Sequence, residues 1–337
     1  MDTSSQDFLR AVTDMDLLYF STDYSFSYPP MKCVFVSISV FYQTILKVYL
    51  FWRKMNMKKD YFKGWYFKCS NENKTIAFIP AFHQSNHEKT ASLQIITDDT
   101  AFNIPFQFLQ YRENPLAIKI GENIFSKEGI RLQIKNNDLS ANGALHFHDL
   151  SPIQYDIMGP FKFVPLMQCR HSVYSMRHRI NGQIIVNGQQ YVFQNGIGYI
   201  EGDCGNSFPK EYIWTQCHFN NGSLMLSVAD IPMFGFHFTG IIGVILLNGK
   251  EHRIATYLGA KVKHMGKDSI TVKQGDFQLT ARLLQKNSQP LAAPSHGLMN
   301  RTIHESASCK TYYRFSYKNK ILCEFTSERA SFEFEYE

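Results

Sequence analysis

No two cysteines in this 337-residue chain are spaced as C-x-x-C. The seven present (Cys33, Cys69, Cys169, Cys204, Cys217, Cys309 and Cys323) are odd in number and scattered. That excludes a disulfide framework and a structural zinc knuckle, and fits a reducing cytosol. No G-x-S-x-G, G-x-G-x-x-G, Walker or H-E-x-x-H pattern occurs, which argues against serine hydrolases, dinucleotide enzymes, P-loop proteins and zincins. No long basic tract is interleaved with stacking aromatics. The net charge of +6 is concentrated locally at Arg53, Lys54, Lys58, Lys59, Lys63 and Lys68, so no nucleic-acid partner is expected. Sustained helical periodicity is also missing.

What is present is aromatic and apolar. Hydrophobic residues are 44% of the chain, enough for a globular core, and aromatics are 15%, with 28 Phe and 18 Tyr. Such residues favour pleated, half-buried surfaces and the walls of small-molecule pockets. Residues Arg131–Lys135 alternate, with Leu132 and Ile134 on one face. Tyr313, Phe315 and Tyr317 alternate again, as do Phe332, Phe334 and Tyr336 with Glu333, Glu335 and Glu337. Period two is the strand signature. Asn-Gly between apolar runs marks hairpins. Asn181-Gly182 and Asn187-Gly188 predict a three-strand meander over His171–Phe193. Asn248-Gly249 predicts a hairpin, and Asn142-Gly143 a further turn. Ser288–Gly297 and Gly196–Pro209 read as irregular segments. An all-β chain with barrel or sandwich units follows, divided near residue 195 into 57–195 and 196–337.

The first residues stand apart. Cys33–Trp52 is a mostly apolar run long enough to span a membrane. Trp52-Arg53-Lys54 can also be encoded by a bacterial ribosome-binding sequence, with Met55 and Met57 at start-codon distance. Residues 1–56 are therefore expected to be a translated leader ahead of a cytoplasmic protein. A membrane anchor through 33–52 is the alternative.

Three regions carry candidate chemistry. Phe62–Lys68 puts Trp65 and Phe67 on one strand face and Tyr66 and Lys68 on the other. It reads as a core strand or a pocket wall. Gln168–Gln216 contains Arg170, His171, Arg177 and His178, then Glu201 and Asp203 bracketed by glycines and Pro209. Carboxylates two apart share a strand face, and in an apolar site they can act as an acid–base pair or be pinned by counter-charges. Met299–Cys309 gathers Arg301, His304 and Glu305. His83 with His87, and His146 with His148 beside Asp149, lack an evident third ligand, so no metal is expected.

Together these regions resemble the tocopherol cyclase family. The resemblance runs through F-K-G-W-Y-F-K (Phe62–Lys68), G-P-F-x-F-x-P (Gly159–Pro165), Y-I-E-G-D-C-G-N-S-F-P-K-E-Y-I-W-T-Q (Tyr199–Gln216), Q-P-L-A-A-P (Gln289–Pro294) and Ser306–Cys309. These lie in order across nearly all of residues 60–337. Asp203 stands where the similar plant run carries Asn. The resemblance implies two lipocalin-like antiparallel β units around an apolar pocket, and closure of a prenylated hydroquinone to a chromanol ring without redox cofactor or metal. It implies Glu201 or Asp203 as the acid, and His171 or Glu305 orienting the phenol or taking its proton. It further implies Trp65, Tyr66 and Trp214 as the apolar wall, Gln216 bonding the ring and Arg170 at the binding site. A non-catalytic carrier of an apolar molecule is the alternative. Transient membrane-surface contact is the other partner expectation.

Overall fold

The computed structural model describes residues 60–85, 88–164, 167–220, 222–233 and 236–336. The expected leader or anchor at 1–56, His87 and Pro165 lie outside the described residues. Lys58–Lys162 and Met167–Glu337 make one compact unit. Every regular element in it is a strand or a short 3-10 turn, as the alternating patterns predict. No helix among the described residues is long and apolar enough to cross a membrane.

The first sheet contains β1 (Tyr61–Ser70), β2 (Thr75–Gln84), β3 (Lys89–Thr97), β4 (Ala101–Gln107), β5 (Tyr111–Glu113), β6 (Ala117–Ile120), β7 (Asn123–Ser126), β8 (Gly129–Lys135), β9 (Ser140–His148), β10 (Cys169–Val186) and β11 (Gln189–Gly205). Its order is β4-β3-β2-β1-β11-β10-β9-β8-β7-β6-β5. The two edge strands are joined only by the 3-10 turn Phe108–Gln110, so the edges meet and the sheet curls into a nearly closed barrel.

The second sheet contains β12 (Tyr212–Phe219), β13 (Gly222–Met233), β14 (Phe236–Leu247), β15 (Lys250–Ala255), β16 (Lys261–Gly266), β17 (Ser269–Gln274), β18 (Phe277–Gln285), β19 (Gln289–Ser295), β20 (Leu298–Tyr317) and β21 (Lys320–Glu335). Its order is β15-β14-β13-β12-β21-β20-β18-β17-β16, with β19 paired to β20. Here too the edges, β15 and β16, are linked by a 3-10 turn, Thr256–Leu258. The Gln274 side chain ties β17 to β15, accepting from Ala255 N (2.9 Å) and donating to Arg253 O (3.0 Å).

Asn187-Gly188 forms the β10–β11 turn at φ of 47° and 80°, and Asn248-Gly249 the β14–β15 turn at 51° and 75°. The other two Asn-Gly pairs are not turns. Asn181-Gly182 lies inside β10 at a register shift, so the expected three-strand meander is one long hairpin with a bulge. Asn142-Gly143 lies inside β9. Gly143 and Gly182 (φ of 131° and 128°) face tight approaches, since a Cβ would sit 2.2 Å from Gln183 O and 2.3 Å from Ala144 O respectively. Glycine inside a strand marks such bulges and approaches.

Other segments expected to be irregular are also strand. Gln289–Ser295 is β19 and 196–205 belongs to β11. The expected division near residue 195 falls inside β11. The chain passes between sheets at 206–211.

Each sheet has its own apolar interior. In the first, Phe125 lies 5.7 Å from Phe67 and 6.2 Å from Phe78, ring to ring. In the second, Ile213, Leu226, Ile245 and Phe315 are buried together. A third cluster, including Tyr66, Tyr199, Tyr212, Trp214 and Ile303, joins the outward face of β1 and β11 to β12 and β20. Strand alternation makes this possible: on β1, Phe67 and Cys69 enter the first interior while Tyr66 and Lys68 face the layer between the sheets.

Candidate active site

That layer is built strand by strand. β11 sits between β1 and β10, pairing Tyr66 with Glu201 and His171 with Asp203. Glu201 and Asp203, two apart, point to one side and flank one imidazole. In the second sheet β21 sits between β12 and β20. Trp214 pairs with Glu333, and Ser306 pairs with Phe332, so the next cross-strand neighbour of Glu333 is Glu305. Cross-strand neighbours share a face. Trp214, Glu333 and Glu305 therefore form a row across three strands.

These residues line a cavity of about 160 Å³. Small side chains at Gly64, Ala81, Ala229 and Gly240 leave the room, and Phe62, Tyr66, Phe208, Tyr212 and Trp214 supply rings. Met158, Phe161, Ile231, Phe238 and Ile242 add apolar lining. A cavity near 150 Å³ holds a single aromatic ring. The volume fits a ring-sized head.

The polar groups are buried. His171, 8% exposed, donates from Nδ1 to Asp203 Oδ1 at 2.9 Å. Its Nε2 lies 3.0 Å from Glu201 Oε2, close enough to pair as ions but off the direction of a hydrogen bond. Burial opposes a charge on this ring, yet Asp203 and Glu201 together hold its pKa well above the ordinary value. His171 is an imidazolium between two carboxylates. Glu201 also accepts from the Tyr199 hydroxyl at 2.5 Å.

Glu305, 2% exposed, has an Oε1 with no hydrogen-bond partner. Burial pushes its carboxyl up to about 7; the Tyr66 hydroxyl pulls it down, Glu201 pushes it further up, and Lys68 pulls it down. Glu333 accepts from the Tyr212 hydroxyl at 2.6 Å. It is held well above the usual carboxylate range by burial and by Glu305, against the pull of that hydrogen bond. Lys68 is fully buried and donates to Arg329 O and Ser331 Oγ, both at 2.8 Å. Burial lowers its pKa to about 8. Trp214 Nε1 is buried without a partner.

No family model matches the chain, and no curated protein matches it. Solved structures do, fourteen chains among them, and two of these illustrate the likeness. One is a protein of Nitrosomonas europaea assigned as AttH, 11% identical, covering 82% of this chain and 93% of that one with a TM-score of 0.48. The other is CghA, crystallised with Sch210972, 8% identical, covering 82% of this chain and 88% of that one with a TM-score of 0.55. The fold is lipocalin-like. At this identity the likeness extends to fold alone.

The lipocalin-like frame brings together Glu201, Asp203, His171, Glu305, Tyr66 and Trp214 at the cavity. It does not bring Arg170, which is exposed and outside the lining. Arg170 pairs with Cys204, one position off the His171–Asp203 pair, so alternation turns it to the other face. Gln216 is fully buried but lies off the cavity, with Nε2 3.4 Å from His218 Nε2. Trp65 borders the cavity, but its ring stacks on Tyr174 (centroids 4.1 Å apart) and on Phe67, on the opposite face of β1.

Sequence reasoning missed Glu333, Tyr212 and Tyr199. The Phe332–Tyr336 alternation contained Glu333, but nothing local showed that both faces of that strand are covered. His171, Glu201 and Asp203 also present ligand atoms within 4.8 Å of one another, compact enough for a metal. Both imidazole nitrogens already face carboxylate oxygens, so a cation there would have to replace the His171 proton. His146 and His148 are exposed on β9.

Proposed function

We propose that the chain is an enzyme of the tocopherol cyclase type, closing or isomerising an apolar prenylated quinol or a similar molecule by acid catalysis. One observation carries the reading: Glu305 is a buried carboxyl group with a bare oxygen, raised to about 7, in a cavity walled by aromatic rings. A general acid works best when its pKa lies near the working pH. Glu305 replaces Glu201 and Asp203 as the favoured proton donor, because those two are committed to His171.

In the proposed reaction Glu305 passes its proton to an alkene carbon. The phenol oxygen bonds to the resulting tertiary cation and releases its proton to the carboxylate cluster, which restores Glu305. No atom is gained or lost. Tyr66, Trp214 and Tyr212 offer ring faces to the cation, with Tyr66 and Trp214 edge-to-face at 5.5 Å. Trp214 Nε1 is free to donate to the phenol oxygen. Apolar walls keep water from capturing the cation.

A carrier needs no buried acid, and its carboxylates would be neutralised by arginine. Among the described residues none of Glu201, Asp203, Glu305 and Glu333 pairs with an arginine. The test is incubation with a methylated prenylhydroquinone, following chromanol by mass spectrometry. Product is expected from the wild type, with turnover cut about 10²–10⁴-fold in Glu305→Gln. Tight binding with no product, or product unaffected by Glu305→Gln, would overturn the reading.

A further inference from the structure

The cavity's charges do not balance. Four carboxyl groups line it: Glu201, Asp203, Glu305 and Glu333. Three basic side chains lie by them: His171 from β10, Lys68 from β1, and His83 from β2, whose pKa burial lowers to about 4, so that it adds no charge near neutral pH. Asp98 and Glu335, the nearest other acids, are already matched by Arg329 (2.8 Å) and Arg301 (3.4 Å). The Tyr66, Tyr199 and Tyr212 hydroxyls contribute hydrogen bonds but no charge. His171 is fully engaged by Glu201 and Asp203, and Lys68 points to Arg329 O and Ser331 Oγ. The surplus negative charge therefore falls on Glu305 and Glu333, side by side on β20 and β21.

Two carboxylates so placed in an apolar layer cannot both stay ionised without a positive partner. A shared proton is one such partner. A cationic ligand head is another, and the site is shaped for it: Tyr66, Tyr212 and Trp214 present rings, Glu305 Oε1 is bare, and the room is ring-sized. We infer that the Glu305–Glu333 pair makes this cavity a receptor for the positive charge of an apolar molecule, so that it takes a lipophilic ammonium group in preference to a neutral or anionic analogue. The inference rests on the proposed cavity and extends that function: a site that stabilises a tertiary carbocation holds a protonated amine of the same shape by the same contacts.

Three probes share one shape and differ in charge: N,N-dimethylbenzylammonium, isobutylbenzene and phenylacetate. Binding is measured by titration calorimetry with the full chain. The ammonium probe is expected to bind at least about tenfold more tightly than isobutylbenzene near neutral pH, and phenylacetate not at all. Its binding should release protons, seen as heats that change with the buffer's ionisation enthalpy, and should strengthen from pH 5 to 8 as the pair loses protons.

Glu305→Gln and Glu333→Gln should each keep isobutylbenzene binding and lose the ammonium preference. Equal affinity for the two probes, absent proton release, or a preference surviving both substitutions would overturn the inference. Should a variant fail to bind isobutylbenzene, the wild-type proton release and pH profile still decide. Cyclisation with no ammonium preference would sink this inference alone. Ammonium preference with no cyclisation would sink the proposed reaction alone.

Discussion

The interior of the first sheet and the layer between the sheets are both buried, yet they differ in kind. The first interior is filled by Phe67, Phe78, Phe125 and Phe147, with isoleucines and leucines packed around them. The layer between the sheets buries His171, Glu201, Glu305, Glu333 and Lys68 among Tyr66, Tyr199, Tyr212 and Trp214, and leaves a cavity. Apolar burial stabilises without direction. Buried charge costs free energy unless paired, and breaking such a pair costs more than making it yields. The first region accounts for stability, and the second holds the polar groups that stability alone would not select.

The sharpest way to break this division is to exchange the effects. Phe125→Ala, which empties the first interior, should destabilise by about 3–5 kcal/mol in chemical denaturation, while the protein still folded binds ligand normally. His171→Asn should be comparably costly, about 3–5 kcal/mol, because it leaves the buried Glu201 and the half-buried Asp203 uncompensated. A neutral cost there would show that the three groups are not an ion-paired unit. The same reasoning applies to the double change Glu201→Gln with Asp203→Asn. It strands the imidazolium, so stability as well as turnover should fall.

Glu305 should behave oppositely. Its folded pKa of about 7 lies above that of a free carboxyl group, so the folded state binds more protons between those values. The Glu305 contribution to stability should therefore fall as pH rises from about 4.5 through 7, by a few kcal/mol, and stay constant above. His171, with its raised pKa, adds stability that is present below its unfolded value and lost as pH rises through its folded one. Denaturation curves across pH should show the neutral-range slope flatten in Glu305→Gln while turnover collapses. An unchanged slope would mean that Glu305 is ionised throughout.

The smallest effect should come from Gly64→Ala. A Cβ there would meet Ala81 Cβ at an ordinary 3.5 Å, so folding is unaffected. It takes volume from the cavity, and ligand affinity should drop severalfold with the melting temperature unmoved. A fall in both would place Gly64 in packing instead.

Much of this was legible in the chain. Leu132 and Ile134 on one face of β8, and Asn187-Gly188 and Asn248-Gly249 at hairpin turns, follow from local geometry, and each is found. Asn181-Gly182 and Asn142-Gly143 show the limit. The same dipeptide turns the chain when free but stays within a strand when both sides are already paired, with a bulge at Asn181-Gly182 and in unbroken register at Asn142-Gly143, and pairing is not local. The Glu201–His171–Asp203 group was foreseen in its members but not its state, which depends on β10 and β11 lying in one register. Glu333 was invisible because an alternating Phe-Glu strand reads identically whether its Glu face meets water or a second sheet.

Alternation and turn chemistry determined by themselves that segments such as β8 and the Asn187-Gly188 hairpin form strands, and two-residue spacing determined that Glu201 and Asp203 share a side, because both depend only on backbone geometry over a few residues. The packing of one sheet's outer face on another decided which carboxyl groups lost their water, and so which became acids near neutral pH. Solvation is set by everything around a group, most of which lies more than a hundred residues away along the chain.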